Sequence, residues 1–95
     1  MAHIIIRTQN GEEHTINLLK DDFLWEVVET DEREMGIERL HEATLDEDID
    51  GEPVTFIFHV WEYPEGSLNN EEIEVEGADL VQGCSLFDFI DLYWN

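Results

Sequence analysis

Val54-Thr55-Phe56-Ile57-Phe58-His59-Val60-Trp61-Glu62-Tyr63 is the most apolar run in the chain. In an extended conformation Val54, Phe56, Phe58 and Val60 point to one side. Ile57 and Trp61 point to the other, with Thr55 and His59 between them. A strand that is apolar on both sides belongs in the interior of a sheet with something packed over it. Residues 54–63 are therefore read as the central strand of the single core, and His59 as a hydrogen-bonded core histidine rather than a catalyst.

On the C-terminal side, Tyr63-Pro64-Glu65-Gly66 has the proline of a tight turn, and Ser67–Asn70 extends the loop. Glu71-Glu72-Ile73-Glu74-Val75-Glu76 then alternates with period two, which sends Ile73 and Val75 inward and Glu72, Glu74 and Glu76 outward. From Ser85, a helix cap, Leu86, Phe89, Ile90 and Tyr93 fall on one helical face, widened by Phe87 and Trp94. A helix so apolar is expected to pack on the sheet, or to be shared with a second copy as a homodimer contact.

On the N-terminal side, Asp46-Glu47-Asp48-Ile49-Asp50-Gly51-Glu52 holds five acids in seven residues. Asp-x-Asp-x-Asp-Gly matches the first half of a calcium loop, but the twelfth position is Ile57, inside the central strand. An Asp50-Gly51 hairpin turn is the preferred reading. Residues 37–49 suit a helix or a strand, with Ile37, Leu40 and Leu45 as the apolar positions.

The start of the chain reads as a hairpin: His3–Gln9, then Asn10-Gly11 as a type I′ turn, then Glu12–Leu18 with His14, Ile16 and Leu18 on one face. Asp21 or Asp22 can cap a following helix on which Phe23, Leu24, Val27 and Val28 form one face. Asp31 would fall near the centre of that face, so the helix is expected to end near Thr30. Trp25 lies off the face beside Glu29 and Glu32, where a neighbouring segment packs it or it serves as an anchor for a partner. This order, hairpin, helix, then Met35-Gly36-Ile37, resembles the start of the ubiquitin-like β-grasp domains over residues 3–37. The resemblance implies a fold and no conjugation chemistry, since the chain ends in Trp94-Asn95 where conjugated members carry a diglycine. The expected class is α+β: one small domain, 1–95, with an N-terminal hairpin, a helix, further antiparallel strands around 54–63, and a C-terminal helix on the sheet.

Twenty-five Asp and Glu against four Lys and Arg give a formal net charge of −21. Leu, Ile, Val and Phe nevertheless make up 29 of 95 residues, far above the ~20% below which charged chains stay unfolded. Adaptation to high salt does not suit nine Ile against three Ala. Cys84 is the single cysteine, which excludes an internal disulfide and a cysteine metal cluster and makes a reducing, cytoplasmic compartment the default. No apolar run approaches the ~20 residues of a membrane helix, and an anionic surface is repelled by nucleic acid and acidic lipid alike.

Catalytic patterns are lacking in the sequence. His41-Glu42 begins like a zinc-protease helix, but Leu45 stands where the second ligand belongs. No glycine-rich phosphate loop occurs, and no Ser or Cys has an assignable base. The reading is a non-enzyme without cofactor or metal, whose natural partner is a basic nucleic-acid-binding protein or nuclease complex. Ordinary solubility needs a net charge of only about 2–8, so the excess asks for a reason. The expected function is that of a small acidic inhibitor mimicking nucleic acid. By size and charge it is similar to phage-encoded inhibitors of bacterial defence, of the anti-CRISPR or anti-restriction type. The residues expected to carry the charge are Glu71, Glu72, Glu74 and Glu76, with Asp46, Glu47, Asp48, Asp50 and Glu52, and Trp25 as anchor. An immunity protein against a nuclease toxin, a ubiquitin-like interaction module and a calcium-binding domain are the alternatives.

Overall fold

A computed structural model describes residues 2–90. Seven strands run β1 (Ala2–Arg7), β2 (Glu13–Leu18), β3 (Glu26–Arg33), β4 (Gly36–Ile49), β5 (Glu52–Glu62), β6 (Leu68–Glu76) and β7 (Asp79–Gln82). They form two antiparallel sheets, β2-β1-β7 and β3-β4-β5-β6. The central stretch is β5, paired on both sides. Val54, Phe56, Phe58 and Val60 are buried, and Ile57, His59 and Trp61 are half-buried on its other face.

One apolar cluster joins Ile4, Ile6 and Leu18 of the three-stranded sheet to Ala43, Val54, Phe56, Phe58 and Val60 of the larger one. Phe23, Leu86 and Phe89 complete it, with Phe23 stacked on Phe89 at 4.7 Å and tilted against Phe58 at 4.9 Å. The chain crosses between the sheets at Gly77, whose φ is +94°. A Cβ there would lie 2.7 Å from the Pro53 carbonyl oxygen, so both the conformation and the close approach require glycine.

The expectation of an α+β domain is corrected, because the described residues contain no helix longer than a three-residue 3-10 turn. Where a helix over Phe23–Val28 was expected, Lys20–Asp22 forms one such turn and Glu26–Arg33 is strand β3. The register of β3 against β4 shifts between Val27 and Glu29, so Val28 is an extra residue that interrupts the alternation. That insertion puts two valines side by side and imitates a helical stripe, while β-branched Val27, Val28 and Thr30 suit a strand. The helix in the resemblance to β-grasp domains is this same segment.

The expected C-terminal helix is corrected as well. Leu86 and Phe89 are buried three residues apart by a single 3-10 turn, Phe87–Phe89, and the backbone is extended again at Ile90 (φ −110°, ψ 131°). A helical dimer contact has no helix to form it among the described residues; Tyr93 and Trp94 lie outside them.

The first hairpin forms, but it pairs from Ala2↔Leu18 to Arg7↔Glu13, one residue off the register that a two-residue Asn10-Gly11 turn would set, because its turn differs. Only Gly11 has positive φ there, and Asn10 instead uses its side chain, accepting from Thr8 Oγ1 and from the Glu12 amide. Thr8 N–H donates to Glu12 O and Gly11 N–H to Thr8 O, closing a five-residue loop rather than a two-residue one. Asp50 (φ 54°) and Gly51 (φ 82°) make the tight turn between β4 and β5. The residues of the calcium-loop pattern therefore lie in two paired strands and the turn that joins them. No helix of the described residues is long and apolar enough to cross a membrane.

Candidate functional site

The outward face of the four-stranded sheet carries ten of the 25 carboxylates, Glu26, Glu29, Asp31, Glu38, Glu42, Asp46, Asp48, Glu72, Glu74 and Glu76. Residues directly opposite each other across paired strands share a face. The pairings Glu26↔Glu42, Glu42↔His59 and His59↔Glu72 set one row across all four strands. The next row is Glu29, Leu40, Trp61 and Asn69, and two further rows join Thr44, Ile57 and Glu74, and Asp46, Thr55 and Glu76. Asp31 and Glu38 stand opposite each other beyond them.

The face therefore has two acidic margins: Glu26, Glu29 and Asp31 on β3, and Glu72, Glu74 and Glu76 on β6, every one exposed. Between them β4 and β5 supply a floor of half-buried Leu40, Ile57 and Trp61, with Glu42 and His59 set into it. Three strand spacings of ~4.8 Å separate the margins, about 14 Å in all, and successive acids along β6 are ~6.8 Å apart.

Local contacts relieve the repulsion only in part. His59 Nε2 lies 2.8 Å from Glu42 Oε2 in the floor, and Thr55 Oγ1 donates to Asp46 Oδ1 at 2.8 Å. At one end Arg33 donates from Nε to Glu38 Oε1 at 2.7 Å, and its other arm lies 3.1 Å from Asp31. The hydrogen bond to Glu38, with the charges of Glu38 and Asp31, raises the guanidinium above its ordinary pKa. Among the described residues Arg33 is the cation that the register puts on this face; Arg39 falls on the opposite side, across from Thr30 and Glu62.

The residues expected from the sequence divide. Glu72, Glu74, Glu76 and Asp46 are exposed on the acidic face, and Asp48 shares their side of β4. Glu47, Asp50 and Glu52 are exposed around the β4–β5 turn rather than aligned with them. Glu71 turns away: its Oε2 accepts the Leu86 amide at 2.6 Å, tying the last turn to the sheet. Burial, then the charge of Glu71, raises the nearby Cys84 thiol above its usual pKa. Trp25 is half-buried, stacks on Phe23 at 5.5 Å and donates from Nε1 to the Phe89 carbonyl at 2.9 Å, which makes it a packing residue at the edge of the core.

Glu26, Glu29, Asp31, Glu42, His59 and Trp61 are members of the face that sequence reasoning did not include. Glu26 and Glu29 fall within the expected helix and Asp31 just beyond its expected end near Thr30, and only the register across Val28 aligns them with β6.

Two open clefts flank the sheet. One, of ≈ 590 Å³, is lined by Phe23, Leu24, Trp25, Val27 and Phe89 with His41 at its base. His41 is itself in a buried contact, Nε2 to Glu62 Oε1 at 2.8 Å. The other, of ≈ 670 Å³, lies at the Arg33 end between Trp61, Tyr63 and Met35. Among the described residues, neither cleft joins a Ser, Thr or Cys to a base. No protein-family model, curated protein or solved structure matches this chain.

Proposed function

We propose that the acidic face is a protein surrogate for a nucleic-acid duplex, and that the protein inhibits a basic DNA- or RNA-binding protein or nuclease complex by occupying its groove. The observation that carries this reading is the alignment of two exposed acidic margins on one face, separated by a mixed floor in which Leu40, Ile57 and Trp61 lie among Glu42, Thr44, Asp46, Thr55 and His59. B-DNA presents two lines of phosphates on either side of a major groove ~12 Å wide, and margins about 14 Å apart are of that order.

Overall dimensions support it. The Cα trace spans 48 × 23 × 18 Å, an elongated body along which acids can be set out in lines. Averaged over 6264 Å² of surface, 21 net charges leave about 300 Å² each, against about 110 Å² per phosphate on the duplex. The average alone falls short of DNA; gathering the acids on one face raises the local density. Electrostatic steering brings a basic groove to that face, and Trp61 with Ile57 and Leu40 offers the apolar contact that gives residence time. The phage-encoded inhibitors of bacterial defence systems are the class this fits, with an immunity protein as the same physics aimed at a single nuclease.

The test is competition. A panel of basic DNA- and RNA-binding proteins and nucleases is titrated with the protein in the presence of labelled duplex. At least one is expected to lose its duplex to the protein, with affinity falling at least about tenfold between ~50 and ~200 mM salt. Glu72→Gln, Glu74→Gln and Glu76→Gln together are expected to abolish the displacement, whereas Glu47→Gln with Glu52→Gln leaves most of it. A panel with no displaced duplex, or displacement that ignores both salt and the triple variant, overturns the proposal.

A further inference from the structure

At the other end of the four-stranded sheet, two turns bring together side chains 36 residues apart in the chain. Glu12 ends the first loop, His14 follows in β2, and Asp50 occupies the β4–β5 turn. One ligand atom from each of the three lies within 4.8 Å of the others. His14 Nε2 is 3.1 Å from Asp50 Oδ2 and 3.8 Å from Glu12 Oε2. That nitrogen is closed to solvent yet makes no properly directed hydrogen bond, so Asp50 is near it in distance but wrongly placed to accept or donate along its axis. A shielded imidazole nitrogen within 3.8 Å of two carboxylate oxygens, without a hydrogen bond to hold it there, is left available as a donor towards a cation.

We propose that Glu12, His14 and Asp50 bind one divalent transition-metal ion of the Zn²⁺ class, clamping the first hairpin to the β4–β5 turn. An ion ~2.0–2.2 Å from each donor holds its ligands roughly 3–4 Å apart, close to the spacings present. Glu12 is exposed and free to swing through the remaining fraction. One imidazole and two carboxylates favour zinc and its neighbours over calcium and magnesium, which take all-oxygen shells. Three protein ligands leave a further position for water. The site is separate from the calcium-loop pattern of Asp46–Ile57, from which it uses Asp50 alone. It does not depend on the acidic face being a nucleic-acid surrogate.

Isothermal titration of the full chain with ZnCl₂, and in separate runs with CaCl₂ and MgCl₂, tests it. One Zn²⁺ per chain is expected, bound at least about tenfold more tightly than Ca²⁺ or Mg²⁺. Zn²⁺ is also expected to raise the melting temperature of the wild-type chain. Asp50→Asn keeps a residue that tolerates the positive φ of this turn, so the fold is retained while the charged ligand is lost. Asp50→Asn and His14→Gln should each weaken Zn²⁺ by about tenfold or more and remove the melting shift. Glu72→Gln with Glu74→Gln should bind Zn²⁺ like the wild type. Absent Zn²⁺ binding, equal Ca²⁺ binding, full affinity in His14→Gln, or an equal loss in the Glu72/Glu74 variant each overturns the assignment, the last by showing diffuse attraction to an acidic surface.

Discussion

The two faces of the four-stranded sheet are made by the same strands and differ at every second residue. On the inner face Phe56, Phe58 and Val60 of β5 have no exposed surface and Val54 has 1%. On the outer face, one residue away each time, the rows run through Glu42, Asp46, Glu72, Glu74 and Glu76. Magnitudes explain how one sheet holds both. Full burial of one large apolar side chain contributes about 1.5–3 kcal/mol. Two unit charges ~7 Å apart in water repel by about 0.6 kcal/mol before salt screens them. A few packed side chains inside therefore offset a row of like charges outside, and apolar packing and negative charge are divided between opposite sides of one layer.

The sharpest way to break this division is Phe58→Ala. Phe58 touches Phe23 and lies beside Phe56, and its loss should destabilise the protein by ~3–5 kcal/mol, read from the urea midpoint. A loss below about 1 kcal/mol would mean that the inner face is not the source of stability. Next comes His41, a polar member of that face beside Glu62. His41→Ala leaves Glu62 in a buried position without its imidazole and should cost about 1–3 kcal/mol in the same measurement.

The outer face should respond with the opposite sign. Glu72→Gln, Glu74→Gln and Glu76→Gln together are expected to stabilise the fold by about 1 kcal/mol at low salt. The gain should shrink as salt is added, because added ions already screen the wild type. A destabilised triple variant would show that these acids are structural. The smallest effect is at Cys84, raised above its ordinary pKa by burial and by Glu71. Alkylation near pH 8 should be several-fold slower in the native protein than in urea, because less thiolate is present. The thiol ionises first in the unfolded chain, so its contribution to stability is complete below the unfolded pKa and lost as pH rises through the folded one. Equal alkylation rates in both states would remove the low-polarity environment assigned to it.

How far the fold could be read from the chain depended on whether strand periodicity was left intact. β5 and β6 alternate without a break from Val54 to Val60 and from Glu72 to Glu76, and their faces were legible. β3 was not, because the extra residue at Val28 erases the alternation, and a bulge is set by pairing with β4 rather than by local preference. Leu86 and Phe89, three apart, satisfy one tight turn as well as a long helix, so spacing alone does not fix length. Asn10-Gly11 marked a hairpin correctly, yet the Asn10 side chain drew the loop into a longer form. The same bulge hid half of the candidate site: the acids of β6 were visible as a line, those of β3 only after register was known. The Glu12–His14–Asp50 group joins two turns distant in sequence, and no linear motif reports it.

The pairing of β7 with β1 sets the order in which a newly made chain can finish folding. Ile4 and Ile6 belong to a strand whose second neighbour, Asp79–Gln82, lies some seventy residues further along the chain, so this pairing waits on everything between. Until then the opening hairpin has one unmatched edge and nothing permanent to cover its oily side. Sequence-distant closure of this kind makes folding slow and leaves the nascent chain in need of protection. Abundant negative charge works against sticking in the meantime, since chains that repel one another do not aggregate while they wait.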